Sequence, residues 1–367
     1  MSNATEPDPD GTLAPTLAKT LATIRPADAE AVDRAWCRQR NLLKPNGSLG
    51  ALEILGARLA GSTGQVAPSL EPVGVAVFAG DHGVHAQGVS PWPQAVTAQM
   101  VAAVVEGSAA VAVLARQVGA SVLTVDVGVA EPVPGVDDDR PGAREVPGLV
   151  RRRVAAGTAD LSMGRAMSPE HALAAVEVGI QVADRLVEDG HRLLVAGDLG
   201  IANTTASAAL VAAFTGASPT AVTGRGTGVD DDTLARKVSL VERALRLHAP
   251  EPGDPMAVLA ALGGLEHAAI AGFLLRAAAR RVPVVLDGVV ACSAALVAQA
   301  LAPAAVDHWV AGHRSVEPGA SVALGRLGLE PLLDLQMRLG EGTGAVMAVP
   351  LVQAAARVLG EMGTFPE

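Results

Sequence analysis

The sequence contains no tyrosine, four phenylalanines, three tryptophans and two cysteines, Cys37 and Cys292, in 367 residues. So few aromatics leave Ala, Val, Leu and Gly to fill the interior, which demands helices and strands that approach closely. Two cysteines build neither a disulfide framework nor a zinc cluster, as expected for a reducing, cytoplasmic setting. Positive charge is also scarce. The formal net charge is −10, and the densest basic run is Arg151, Arg152 and Arg153. That run is too short to follow a nucleic-acid backbone, and an anionic membrane surface would repel the chain, so neither partner is expected. The longest apolar stretch, 289–306, is interrupted by Gln299 and Pro303 and reads as a buried helix rather than a membrane span. The opening MSNATEPDPDGTLAP has no basic stretch leading into an apolar one, so no secretory signal is expected.

Half of the residues are apolar, enough for one large α/β domain with a smaller lobe. Residues 1–15 read as a disordered tail. Short apolar runs at 73–78, 122–127, 193–196, 282–286 and 308–310 alternate with helical patterns at 97–118, 203–214, 234–247 and 264–280. Unbroken apolar strands separated by helices predict a mainly parallel sheet covered on both faces, a three-layer α/β/α arrangement. The Asp/Pro/Gly-rich 131–148 reads as a long loop.

Each predicted strand runs into polar, Gly-rich sequence. Asp81-His82-Gly83 follows the first, Asp198-Leu199-Gly200 the third, Asp287-Gly288 the fourth and Gly312-His313-Arg314-Ser315 the fifth. Ligands of open α/β sheets bind at the carboxyl ends of strands, so these tips point to one shared cleft. Gly200 to Thr205 opens a helix with Asn203-Thr204-Thr205, which suits a phosphate at a helix N-terminus and equally suits ordinary N-capping. Gly224-Arg225-Gly226-Thr227-Gly228, with Lys237 on the next helix, offers backbone amides and a charge to an anion. It is neither a P-loop nor a dinucleotide fingerprint. The acidic runs 137–139 and 230–232 follow no apolar strand; they read as a solvated loop and a helix start, which argues against a pyrophosphate-sugar donor. In Leu339-Gly340-Glu341-Gly342-Thr343-Gly344 one carboxylate stands between glycines. That is a general base with few pairing neighbours, or an exposed Glu in a turn. Trp92, between Pro91 and Pro93, stacks on a flat ligand or braces its turn. Asp81, His82 and His85 have no third ligand at a recognisable spacing, so no metal is expected, and no cofactor motif stands out.

Seven stretches, taken in order, resemble the nicotinate-nucleotide–dimethylbenzimidazole phosphoribosyltransferase family. They are KPNGSLGALE (44–53), FAGDHGVHAQGVSPWPQAVTAQMV (78–101), GDLGIANTTASAAL (197–210), GRGTGVDD (224–231), LGGLEHAAIAGFLL (262–275), PVVLDG (283–288) and LGEGTGA (339–345). The resemblance implies phosphoribosyl transfer from nicotinate mononucleotide to dimethylbenzimidazole, giving α-ribazole phosphate and nicotinate for cobalamin assembly. It implies Glu341 as catalytic base, with Ser90, Gln99 and Leu339 at the acceptor base. Asp198, Gly200, Asn203, Thr204, Gly226, Thr227, Gly228, Lys237 and Ser315 then hold the donor nucleotide and its phosphate. It further implies a homodimer, and a small helical domain from both chain ends (16–65 with 335–367) beside the α/β domain 66–334. Two positions depart from the family pattern. Asp198 replaces the usual Glu, about 1.5 Å shorter in reach, and Ala320 stands where a His is common. Another acceptor (adenine, a phenol or another azole), or a nucleotide-binding homologue with weakened catalysis, are the alternative readings.

Overall fold

The computed structural model describes residues 15–135 and 146–366. Six strands form one sheet: β1 (Val73–Gly80), β2 (Ser121–Gly128), β3 (Leu149–Arg151), β4 (Leu193–Leu199), β5 (Val284–Leu286) and β6 (Trp309–Ala311). Their order is β3-β2-β1-β4-β5-β6, and every pairing is parallel. The order runs one way from β1 through β2 to β3 and the other way through β4 to β6. The carboxyl ends of β1 and β4 are therefore the switch point, where a crevice must open because the two following connections leave in opposite directions.

Side chains alternate along each strand, and the two faces feed two separate cores. Ala76, Phe78, Leu194, Ala196, Val284 and Leu286 face a core shared with the helices Pro169–Glu188, Asn203–Thr215, Leu265–Ala279 and Val289–Leu301. Val75, Val77, Val195, Val285 and Val310 face the other, closed by Ala51–Thr63, Val96–Val105, Ala110–Gln117 and Thr343–Glu361. This is the expected three-layer arrangement. The scarcity of aromatics is answered by glycine: a Cβ on Gly179 or Gly272 would strike the backbone of the facing helix, so Pro169–Glu188 and Leu265–Ala279 meet main chain to main chain.

Several boundaries differ from the sequence reading. β3 was not expected; it is a three-residue, half-buried edge strand beside β2, too short to leave a periodic signal. The run 97–118 is two helices, broken between Val105 and Ala110 where Gly107 takes φ +82°. The stretch 289–306 is helical to Leu301 and then a 3₁₀ turn from Pro303, as the proline dictates. Among the chain-end helices, Ala29–Asn41, Ala51–Thr63 and Thr343–Glu361 pack together, whereas Pro15–Thr23 lies against Pro169–Glu188 and Leu265–Ala279. Residues 1–14 and the acidic run 137–139 lie outside the described residues.

Candidate active site

A cavity of 720 Å³ opens at the switch point, lined from the tips of β1, β4, β5 and β6 and from the loops 225–227 and 337–341. Of the residues singled out from sequence, it gathers Ser90, Trp92, Asp198, Gly200, Asn203, Thr204, Gly226, Thr227, Lys237, Ser315, Leu339 and Glu341. Gln99 and Gly228 are not part of its lining. On Val96–Val105 the residues turned to the cavity are Val96, Thr97 and Met100, and Gln99 lies off that stripe, exposed.

One end of the cavity is built from carboxyls. Gly340, Glu341 and Gly342 all have positive φ, at +83°, +64° and +93°. For Glu341 this left-handed conformation costs roughly 1 kcal/mol, so the surroundings must enforce it. They do so through backbone bonds: Glu341 N donates to Asp198 O (3.2 Å) and Thr343 N to Gly340 O (3.0 Å). Gly197 is required on the facing strand, since any Cβ there would collide with the Glu341 carbonyl. The Asp287 carboxylate accepts from Gly342 N (3.2 Å) and Ala345 N (2.9 Å), with His313 Nε2 3.4 Å away. Glu341 is 3% exposed, and its Oε2 accepts from Val111 N at 3.3 Å. That amide is available only because the helix pattern breaks before Ala110. Burial raises the Glu341 pKa, the Val111 amide opposes the rise, and the Asp287 charge adds to it. The exposed-turn reading of Glu341 is thereby excluded.

Asp198 lies beside this turn. Burial, then the charges of Asp287 and Glu266, push its carboxyl well above the usual range, against a 2.9 Å bond from Asn203 Nδ2. Capping does not explain Asn203: the residue preceding the helix is Ala202, at φ +78°, with no side-chain cap, and the Asn203 amide serves Asp198 instead. Thr204 is engaged as well, its Oγ1 accepting from Lys237 Nζ at 3.1 Å.

The cavity also holds a buried lysine beside a Gly-rich loop. Lys237 is buried and donates also to Gly224 O (2.7 Å); burial lowers its pKa, and the charge of Glu317 counters that. Glu317 Oε1 accepts from Gly226 N at 2.6 Å. Arg338 Nη1 donates to Gly226 O at 2.9 Å. Asp230 caps the helix Asp231–His248 through Thr233 N, which is the helix start read from the acidic run. Trp92 is 51% exposed and lines the cavity mouth, so it is not a core brace.

Sequence reasoning missed Asp287, His313, Glu317 and Arg338. The first two stood in the noted strand tips, and Arg338 directly precedes the Leu339–Ala345 motif, but none carried a spacing signal of its own. It also missed a cluster beneath the cleft. Glu266 Oε1 hydrogen-bonds His82 Nε2 (2.6 Å) and lies 2.7 Å from His267 Nδ1 in an ion-pair contact, all three fully buried, with Ser207 Oγ 2.8 Å from His267 Nε2. These are metal-capable side chains whose ligand atoms lie close together, and the hydrogen bond among them is the one between His82 and Glu266. His82 and Glu266 are 184 residues apart, which no local spacing could reveal.

A parallel sheet with a buried lysine, a Gly-rich loop and a buried carboxyl sharing its switch-point cleft has the build of an enzyme active site. A family profile described as "Phosphoribosyltransferase" matches residues 24–367, and the chain belongs to that family. It is 57% identical over 356 residues to the nicotinate-nucleotide–dimethylbenzimidazole phosphoribosyltransferase of Salinispora tropica, covering 95% of this chain and 97% of the relative. Identity to the enzyme of the same name from Chloroflexus aggregans is 54% over 351 residues, covering 96% and 97%. The crystal structure of the Thermus thermophilus enzyme of that name superposes with a TM-score of 0.85 at 46% identity, covering 92% of this chain and 97% of that one.

Proposed function

We propose that the protein transfers the phosphoribosyl group of nicotinate mononucleotide to dimethylbenzimidazole, releasing nicotinate and forming α-ribazole phosphate. The observation that carries this reading is the placement of Glu341, a buried carboxyl with a raised pKa, in one cavity with Lys237 and its Gly-rich loop. That lysine and loop act as an anion cradle for the donor's phosphate, which leaves the reacting carbon between the cradle and Glu341. Glu341 accepts the N–H proton of the benzimidazole, whose bonding pair stays on that nitrogen, while the other ring nitrogen attacks C1′ with its in-plane lone pair. The C1′–N bond to nicotinate breaks from the opposite face, and its electrons neutralise the pyridinium. The leaving group therefore needs no acid, and backside attack inverts the β-linkage to α. Trp92 and Leu339, at the mouth, offer apolar surface to the flat acceptor.

The test is a direct one: purified protein with both substrates, following nicotinate release by chromatography and the nucleotide product by mass. Base-dependent release with an α-nucleotide product is the expected result. No product with dimethylbenzimidazole, but turnover with adenine or a phenol, would replace the acceptor in this reading. Donor binding without turnover on any acceptor would overturn the catalytic reading.

A further inference from the structure

The anion cradle holds less free positive charge than its residues imply. Lys237 is surrounded by its own partners, Thr204 Oγ1 and Gly224 O, and it faces the carboxylate of Glu317. Glu317 also occupies the Gly226 N–H, one of the amides the loop would offer to an anion. Lys237 and Glu317 sum to no net charge. Arg225, the other cation of the loop, is turned to Asp231 and to Val229 O. A phosphate monoester carries about −1.5 to −2 charges at neutral pH, so a cradle neutral overall is poorly matched to it.

Arg338 is the cation left over. Its guanidinium lines the cavity and lies against Gly228, where a Cβ would sit 3.6 Å from Nη2. Among the described residues it forms no salt bridge, and one hydrogen bond, from Nη1 to Gly226 O, aims it at the cradle. Its planar fork has further N–H groups suited to two phosphate oxygens at once. Gly228 puts no side chain in the space beside it. We propose that Arg338 is the counter-charge for the donor's phosphate, binding it from the 337–341 loop that also carries Glu341. This rests on the reading of nicotinate mononucleotide as donor and extends it to a residue that the sequence motifs did not nominate. It also gives the phosphate a direct hold on the loop that presents the base.

The experiment compares wild type with Arg338→Gln and Arg338→Lys on three probes. With nicotinate mononucleotide the Gln variant should raise KM roughly 10- to 100-fold, the range expected for losing a charge-assisted bond, with kcat changed far less. Arg338→Lys should recover part of that loss. With nicotinate riboside, which lacks the phosphate, the Gln variant and wild type should have the same KM; a penalty that persists there overturns the inference. A penalty that instead disappears with nicotinamide mononucleotide, which keeps the phosphate and loses the carboxylate, assigns Arg338 to the pyridine ring and overturns it too. Calorimetric titration of inorganic phosphate separates this inference from the proposed reaction. Weaker phosphate binding by Arg338→Gln sustains it even if no ribosyl transfer is found, and equal binding refutes it even if transfer is found.

Discussion

Two glutamates, both buried to within a few per cent of completely, sit at the carboxyl end of the same sheet with their pKa values shifted in opposite directions. Burial pushes each carboxyl up, but Glu266 ends well below the usual range because the imidazoles of His82 and His267 both face it. Glu341 ends above it because burial dominates: among the described residues its carboxyl accepts one hydrogen bond, from the Val111 amide, and the Asp287 charge adds to the rise. Burial alone therefore decides nothing; the sign follows from the neighbours. One site uses its carboxylate to hold the fold, with Gly80 and Gly264 packed so closely that a Cβ on either would crowd Glu266. The other keeps a carboxyl short of partners and facing solvent-accessible space, which is what a group that must gain and lose a proton requires.

The same substitution at the two sites should separate these roles. Glu341→Gln keeps the shape and the Val111 contact but cannot accept a proton. We expect base-dependent nicotinate release to fall by about 10²–10⁴-fold with little change in urea midpoint. Full activity in this variant would remove Glu341 from the chemistry. Glu266→Gln should do the reverse. It leaves His82 facing a neutral amide in a sealed interior, and breaking a buried ionic contact costs about 3–5 kcal/mol. The loss should appear as a lower urea midpoint at unchanged slope. Unaltered stability would show that the cluster is not held by charge.

A smaller effect is expected in the pH profile. If Glu341 is the base, kcat/KM must fall as pH drops through its pKa, which burial and Asp287 have raised. The acid limb should therefore lie above the ordinary glutamate value near about 4.3, and Glu341→Gln should abolish it. A limb at or below that value would mean that another group, or none, controls the rate.

How much of this was legible before folding depends on the range of the interaction. The sheet was readable because β1, β2 and β4 are apolar runs with helices between, and the cleft because their tips are Gly-rich and polar. Glu341 was readable because its glycines are adjacent in sequence. The Val111 amide was not: it exists only because a continuous apolar pattern breaks near Gly107. Glu266, His82 and His267 look like ordinary residues of a strand tip and a helix start until the chain brings them together. Arg338 and Glu317 have no local signature, since their importance lies in a charge balance summed over several segments. Asn203 was visible but ambiguous, and only the position of Asp198 shows that it is not a cap.

Asp198 gives the finest test of the comparison, because it lies between the two glutamates and feels both. Unfolded, an aspartate ionises near about pH 3.9; folded, Asp198 keeps its proton well above that, through burial and the charges of Asp287, Glu266 and Glu341. Over that window the folded chain binds one more proton than the unfolded chain, so stability must fall as pH rises from about 4 toward neutrality. Asparagine has no proton to lose and its carbonyl still accepts from Asn203 Nδ2. Asp198→Asn should therefore melt higher than wild type at neutral pH, by about 2 °C, roughly what 1 kcal/mol is worth in a chain this large. The gain should shrink to nothing near about pH 4, where the unfolded aspartate is itself protonated. A gain of the same size at both pH values would mean that Asn merely packs better. A loss at neutral pH would mean that Asp198 is ionised in the folded protein, with a cation or donor at its free Oδ1, and that the acidic end of the cleft is not as short of partners as its geometry indicates.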